Sequence, residues 1–174
     1  MKIAHVITRM IIGGAQENTL FNCLDLIEDH QDDVLLITGP ALGPEGDLLR
    51  QFGLVDSSKQ PRGRAGELEI ELLPQLRRNI NPIHDWNAAG DLRKSLQRFR
   101  PDVVHTHSAK AGLLGRRVAW SLGIPAIIHT VHGAPFHPYQ NPLARELFRR
   151  CERHAAARCH HLISVADAMT DLMV

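Results

Sequence analysis

Residues 101–133 read PDVVHTHSAKAGLLGRRVAWSLGIPAIIHTVHG, and this stretch decides the fold. Val103 and Val104 form an apolar run that breaks into His105, Thr106, His107, Ser108, Ala109 and Lys110. A helical segment follows. A second apolar run, Ala126, Ile127 and Ile128, then breaks into His129, Thr130, Val131, His132 and Gly133. Two short buried-type runs flanking a helix predict a β-α-β unit with parallel strands and a right-handed crossover. Leu114, Val118 and Leu122 are expected to hold that helix to the sheet, with Arg116 and Arg117 facing away. Both polar bursts fall at the carboxyl edge of the sheet, where open α/β sheets bind ligands.

The rest of the chain repeats the alternation. Lys2 to Thr8 starts as a strand in which Ile3, His5 and Ile7 alternate with Ala4 and Val6, suiting a sheet covered on both faces. Arg9 to Ala15 is a loop closing on Gly13-Gly14. A helix is predicted from Gln16, with Leu20, Cys23, Leu24 and Ile27 on one face. Asp33 to Thr38 is a second strand, and Pro44 opens a short helix carrying Leu48, Leu49 and Phe52. Residues 56–67, DSSKQPRGRAGE, read as a mobile surface loop, an insertion without an assigned function. Leu68 to Leu73 resumes a strand with Leu68, Ile70 and Leu72 as its apolar positions. Asp85 is the expected N-cap of a helix in which Trp86, Ala89, Leu92, Leu96 and Phe99 share a face. Asn141-Pro142 starts another helix, with an apolar stripe of Leu143, Leu147, Cys151 and Ala155. Leu162 to Val165 is a further strand, and Asp167 begins a last helix. About six strands alternating with helices predict a doubly wound α/β domain with a mostly parallel, Rossmann-like sheet.

A chain of 174 residues suits one such domain. With 20 Lys and Arg against 19 Asp and Glu, the net charge of +1 argues against nucleic-acid binding. Aromatic residues, at 5%, are too few for a base-stacking platform. The odd count of three cysteines, Cys23, Cys151 and Cys159, suits free thiols in a reducing compartment. With neither a signal peptide nor a membrane-length apolar run, the expectation is a cytoplasmic protein.

Several residues carry chemistry. Gly13 and Gly14 let backbone N–H groups approach a phosphate at a helix N-terminus, or simply make a tight turn. His132, beside Gly133 at a strand end, is placed to hydrogen-bond a sugar hydroxyl or move a proton, the alternative being a capping or packing histidine. His105 and His107 share a strand face in an H-x-H pattern, but the sequence shows no third ligand nearby. A polar ligand-facing loop with Lys110 available to an anion is therefore preferred to a metal site. The group Cys151, His154, Cys159, His160 and His161 lacks zinc-motif spacing. Arg145, Arg149, Arg150, Arg153 and Arg158 read as a solvated helix face, the alternative being peripheral contact with anionic lipid headgroups.

Five segments in order, KIAHVIT…GGAQENTL, LPQLRRNINP, RPDVVHTHSAKAGLLGR, GIPAIIHTVHG and HLISVADAM, resemble the N-terminal domain of glycosyltransferase family 4 (group 1). The likeness covers nearly the whole chain and is strongest to bacterial enzymes of capsular, exopolysaccharide or lipopolysaccharide assembly. It implies one half of a GT-B fold, the acceptor-side half, with a C-terminal donor-binding domain not contained in these residues. It implies retaining, metal-independent transfer from a nucleotide-sugar donor to a saccharide or lipid-linked acceptor, and an isolated half that does not turn over. By position, Gly13, Gly14 and Gly133 would meet the donor, and His132 would contact the transferred sugar. Arg77, Arg78, His107, Ser108 and Lys110 would line the acceptor side. Gln16 stands where many relatives have glutamate. Two rivals remain: a sugar-nucleotide 2-epimerase-like protein of the same architecture, and a non-catalytic binding module that recruits a separate catalytic partner.

Overall fold

The computed structural model describes residues 1–55, 68–133, 136 and 140–173, so the 56–67 segment lies outside the described residues. The elements alternate in chain order. They are β1 (Lys2–Arg9), α1 (Gly14–His30), β2 (Asp33–Gly39), α2 (Leu48–Gln51), β3 (Glu69–Leu72) and α3 (Pro82–Phe99). Then come β4 (Val103–His107), α4 (Ala109–Ser121), β5 (Ala126–Val131), α5 (Pro142–Ala156), β6 (His161–Ser164) and α6 (Asp167–Met173). The sheet order is β3-β2-β1-β4-β5-β6, and every pair is parallel. The order reverses between β1 and β4, which creates the crevice at which such sheets bind ligands.

Each sheet face buries its own core. Ala4, Val6, Leu35, Ile37, Val104 and Ile127 pack with α3 and α4 residues such as Leu92, Leu96, Val118 and Ala119. On the other face Ile7, Val34, Leu36 and Ile70 pack with Leu20 and Cys23 of α1 and with Leu48 and Leu49 of α2. Helix α4 sits unusually close to the sheet because Gly112 and Gly115 point at it. A Cβ on Gly112 would lie 2.4 Å from His129 Cε1, and one on Gly115 would lie 2.6 Å from Thr106 Cγ2.

The same glycine face explains a correction. Arg116 does not turn away from the sheet; its side chain is fully buried. It follows Gly112 by four residues and so shares that helix face, which glycines hide from any reading of apolar periodicity. Its Nε donates to Gly112 O at 2.9 Å, and its Nη2 lies 2.7 Å from Glu152 Oε1 on α5, itself buried. That approach is too oblique to count as a hydrogen bond, so this is a charge contact that pins α4 to α5.

Other expectations shift by a turn or a face. Asn81, not Asp85, caps α3, its side chain accepting from Ile83 N and His84 N with Pro82 in the first turn. Trp86 is 79% exposed, because six residues before Leu92 is well off the buried face. Asp47 caps α2, and Pro44 lies outside that helix. In β3, Ile70 is buried while Leu72 is exposed, as the two-residue period breaks at the strand end. On α5, Ala155 is buried but Leu143 and Leu147 are exposed, so the stripe meets the core only at its far end.

Breaking a buried ion pair from one side strands the other charge, at a cost of about 3–5 kcal/mol. Glu152→Ala should therefore lower unfolding stability by about that amount in urea titrations, whereas the double variant Arg116→Met/Glu152→Leu should recover most of it. Equal loss in both would show that an apolar pair cannot replace the ion pair here, and that the stranded Arg116 charge is not the source of the cost.

Candidate active site

The carboxyl ends of β1, β4 and β5 lie side by side and are tied together by side chains. Thr8 Oγ1, at the end of β1, lies 2.7 Å from Ser108 Oγ, just beyond β4, and accepts from Ala111 N at 3.2 Å. Ser108 itself takes φ 61 and ψ 156, a conformation that costs a non-glycine residue about 1–3 kcal/mol. The Thr8 contact holds it there. On the other side of β1, Gly13 is the N-cap residue of α1, and no side chain caps that helix. Gly14 is exposed, with nothing within 4 Å of where a Cβ would stand. Helix α1 thus starts at the carboxyl edge of the sheet, just after β1, with the N–H groups of Gln16 and Glu17 on Gly13 O.

Behind this edge is a cluster that the sequence did not announce. The alternation of β1, β4 and β5 places His5, His105, His107, Thr130 and His132 on one sheet face, with His5 directly opposite His105 in the β1–β4 ladder. His5 Nδ1 lies 3.1 Å from His107 Nε2, and His107 Nδ1 lies 3.1 Å from His132 Nε2. His105 Nε2 bonds Thr130 Oγ1 at 2.7 Å, and its ring centroid is 4.2 Å from that of His107. On the opposite face His129 Nδ1 donates to Thr106 O at 3.0 Å.

Burial governs the protonation of these rings. Desolvation, with His105 nearby, takes His5 from 6.5 to about 3. Desolvation and His132 take His105 to about 4. His107 falls well below 6.5 by burial among four other histidines, and His129 falls to about 3 by burial and then by the Arg116 charge. Burial lowers half-buried His132 as well. All five are therefore neutral at pH 7.

One nitrogen from each of His5, His105 and His107 lies within 4.8 Å of the others, so the third imidazole missing from the H-x-H reading is His5. Such a set could coordinate a cation. Against that, His107 already uses both nitrogens, His105 uses one on Thr130, and the set contains no carboxylate to balance a buried divalent charge. The arrangement fits a hydrogen-bonded imidazole chain better than a metal centre. Cys159 and His160 serve the β5–β6 join, Cys159 Sγ contacting His161 O and His160 Nδ1 accepting from Ile127 N.

Of the remaining expected residues, His107 is fully buried behind His132 and presents no surface to a ligand. Lys110 is held by Asp85 Oδ1 at 2.6 Å and by the Asn79 carbonyl, so its charge is already matched. Arg77 and Arg78 are exposed, with Arg77 Nε on Pro74 O at 3.0 Å, and Gly133 is exposed beside His132. A concavity of about 530 Å³ lies elsewhere, between α3 and α4, lined by Trp86, Arg93, Leu114 and Arg117 among others. His5 and Thr8 are the site residues missed in the sequence. Their signal was depth along β1 relative to β4, legible only once the strand order is known.

Residues 25–174 match the model of the glycosyl transferase 4-like domain. The chain belongs to this family. It is 32% identical over 177 aligned residues to the UDP-Gal:alpha-D-GlcNAc-diphosphoundecaprenol alpha-1,3-galactosyltransferase of Escherichia coli, covering 100% of this chain and 41% of that enzyme. It is 31% identical over 96 residues to the UDP-N-acetylglucosamine--N-acetylmuramyl-(pentapeptide) pyrophosphoryl-undecaprenol N-acetylglucosamine transferase of Sodalis glossinidius, covering 55% of this chain and 25% of that one. The family member described here therefore spans less than half the length of these relatives. Its fold is shared with Acinetobacter baumannii MurG, with TM-score 0.59 at 13% identity over 94% of this chain and 40% of that one. The UDP-GlcNAc 2-epimerase of Methanocaldococcus jannaschii also shares it, with TM-score 0.58 at 14% identity over 96% of this chain and 40% of the epimerase. At those identities the likenesses concern the Rossmann-like fold of a GT-B half and nothing finer.

The buried histidines make stability pH-dependent. Their folded values lie below the 6.5 at which an unfolded histidine titrates, so on acidification the unfolded chain takes up protons that the folded chain refuses. Their contribution is complete above 6.5 and is lost progressively as pH falls toward about 3. The urea midpoint should hold steady above about pH 7 and decline clearly by about pH 5, where carboxylates are still largely ionised. A flat midpoint across that interval would contradict the burial of neutral imidazoles.

Proposed function

We propose that this chain is the acceptor-side domain of a glycosyltransferase that moves a sugar from a nucleotide-sugar donor to a lipid-linked saccharide in cell-envelope glycan synthesis. One observation carries the reading: in a glycosyl transferase 4-like domain, the N-terminus of α1 at Gly13-Gly14, which no side chain caps, and His132 both lie at the carboxyl edge of the sheet, beside the strand-order reversal. Both transferase relatives are named for UDP-sugars and undecaprenol-diphosphate acceptors, which supports a UDP-sugar donor and a polyprenyl-diphosphate acceptor.

In this reading the α1 N–H groups and Gly133 face the donor, whose diphosphate suits a helix N-terminus. His132 bonds a hydroxyl of the transferred sugar and strengthens that bond as charge develops. Arg77 and Arg78 are the exposed cations for an anionic acceptor, and Ser108 and Lys110 shape the wall between. Transfer is retaining and needs no metal. The opposing wall of the cleft, with the donor's nucleotide, belongs to a C-terminal domain of the whole protein, so these residues alone do not turn over.

The enzyme works on the cytoplasmic side, at the inner face of the plasma membrane. No helix among the described residues is long and apolar enough to cross a membrane. Exposed Leu143 and Leu147 lie on α5 with exposed Arg149, Arg150 and Arg153, which suits a peripheral hold on anionic lipid at about 1 kcal/mol per basic residue. The whole protein should float with anionic vesicles more than with neutral ones, and Leu143→Glu should reduce recovery. Equal recovery from both vesicle types would remove the membrane from this reading.

The deciding experiment is a nucleotide-sugar panel with a polyprenyl-diphosphate-linked saccharide, using the whole protein and mass spectrometry. A glycosylated acceptor supports the proposal. An isomerised nucleotide-sugar without transfer would assign a 2-epimerase instead, and no consumption would favour a binding module. His132→Ala should cut transfer by at least ~10²-fold. Gly14→Val should weaken donor binding without loss of stability, because the fold leaves open space there. Unchanged donor affinity would return Gly13-Gly14 to a simple turn.

A further inference from the structure

Two hydrogen bonds join three rings in a line from the core to the edge, His5 Nδ1 to His107 Nε2 and His107 Nδ1 to His132 Nε2. Each link needs one proton, and three neutral imidazoles carry one each. Burial keeps all three neutral at pH 7. A neutral His107 donates from one nitrogen and accepts at the other, so both links must run in the same direction. Only two arrangements remain. If the protons point outward, His5 Nδ1–H donates to His107, His107 Nδ1–H donates to His132, and His132 keeps its own proton on Nδ1. If they point inward, His132 Nδ1 is a bare lone pair and His5 carries its proton on Nε2.

The inner end of the line distinguishes them. His5 Nε2 is buried, with no hydrogen-bond partner among the described residues. In the backbone a buried N–H without an acceptor is rarer than an under-satisfied carbonyl, and we extend the same preference to the imidazole ring. His5 Nε2 therefore bears the lone pair, and the protons point outward. We propose that His5 is a positioning residue: through His107 it fixes the proton of His132 on Nδ1 and makes His132 a hydrogen-bond donor toward the sugar. His132 then grips a sugar oxygen and does not serve as a base. That the ligand is a sugar rests on the transferase reading. The direction of the imidazole line does not.

The test reads the rings directly. Long-range proton–nitrogen spectra of the whole protein, labelled at histidine nitrogen, should show His132 Nδ1 as the protonated, pyrrole-type nitrogen and Nε2 as the bare one. The opposite assignment would overturn the proposal. In His5→Leu the donor to His107 is gone, and the His132 signals should shift toward a mixture of tautomers. His5→Asn, whose amide can still donate to His107, should restore the single form. Retention of one unmixed tautomer in His5→Leu would overturn the role of His5. If His5→Leu loses native spectral dispersion, the wild-type assignment and His5→Asn still decide. With an active enzyme, His5→Leu should lower kcat on the order of 10- to 100-fold, as for outer residues that orient an imidazole, and His5→Asn should recover most of it. An enzyme that transfers no sugar yet shows the expected spectra would refute the transferase reading alone.

Discussion

The β1–β4 ladder is the constraint from which the rest of the molecule follows. Ile3 pairs with Val103, Ala4 with Val104, His5 with His105 and Val6 with Thr106. A slip of one residue would exchange the faces, turning His5 into the apolar cluster under α4 and Val6 toward the histidines. Both ends lock the register. At the amino end Lys2 N donates to Asp102 Oδ2 at 2.8 Å, and at the carboxyl end Thr8 meets Ser108. Because these strands flank the reversal of strand order, the same register that builds the core also aligns the edge residues.

That coupling explains what could be read in advance. The strands, the parallel crossover from β4 to β5 and the location of Gly13-Gly14 and His132 at one edge were legible, because apolar period and strand-end polarity are local properties. Arg116 was misread because its helix face is carried by Gly112 and Gly115, which have no side chain to register as apolar. Trp86 was misread in the opposite sense, since its size suggests a core residue although its phase around α3 does not. His5 could be seen only as a tolerable strand residue. What makes it part of the site is its neighbour in space, 102 residues away, and no local pattern reports that separation.

The two faces of the sheet divide the labour. Against α3 and α4 the packing is tight and apolar, with glycines admitting α4 and a buried ion pair joining it to α5. Across β1, β4 and β5 the other face carries imidazoles and hydroxyls, each with named partners. A rigid apolar floor beneath a polar layer suits a site whose donors must already point the right way when a ligand arrives, since electrostatic help is greatest where no reorganisation is needed. The exposed apolar residues Leu162 and Val165 of the β6 end extend this edge away from α1.

Ser108 gives this edge a further property. Its backbone occupies a region that glycine enters freely and serine does not, and it is held there by Thr8, through both N–H and hydroxyl, and by Gly112 N, which donates to Ser108 O at 2.8 Å. The front of α4 is thus fastened to the end of β1 through one residue, Thr8, which contacts Ser108 and accepts from Ala111 N. The end of the first strand and the wall of the crevice are therefore one mechanical unit, already set before any ligand arrives.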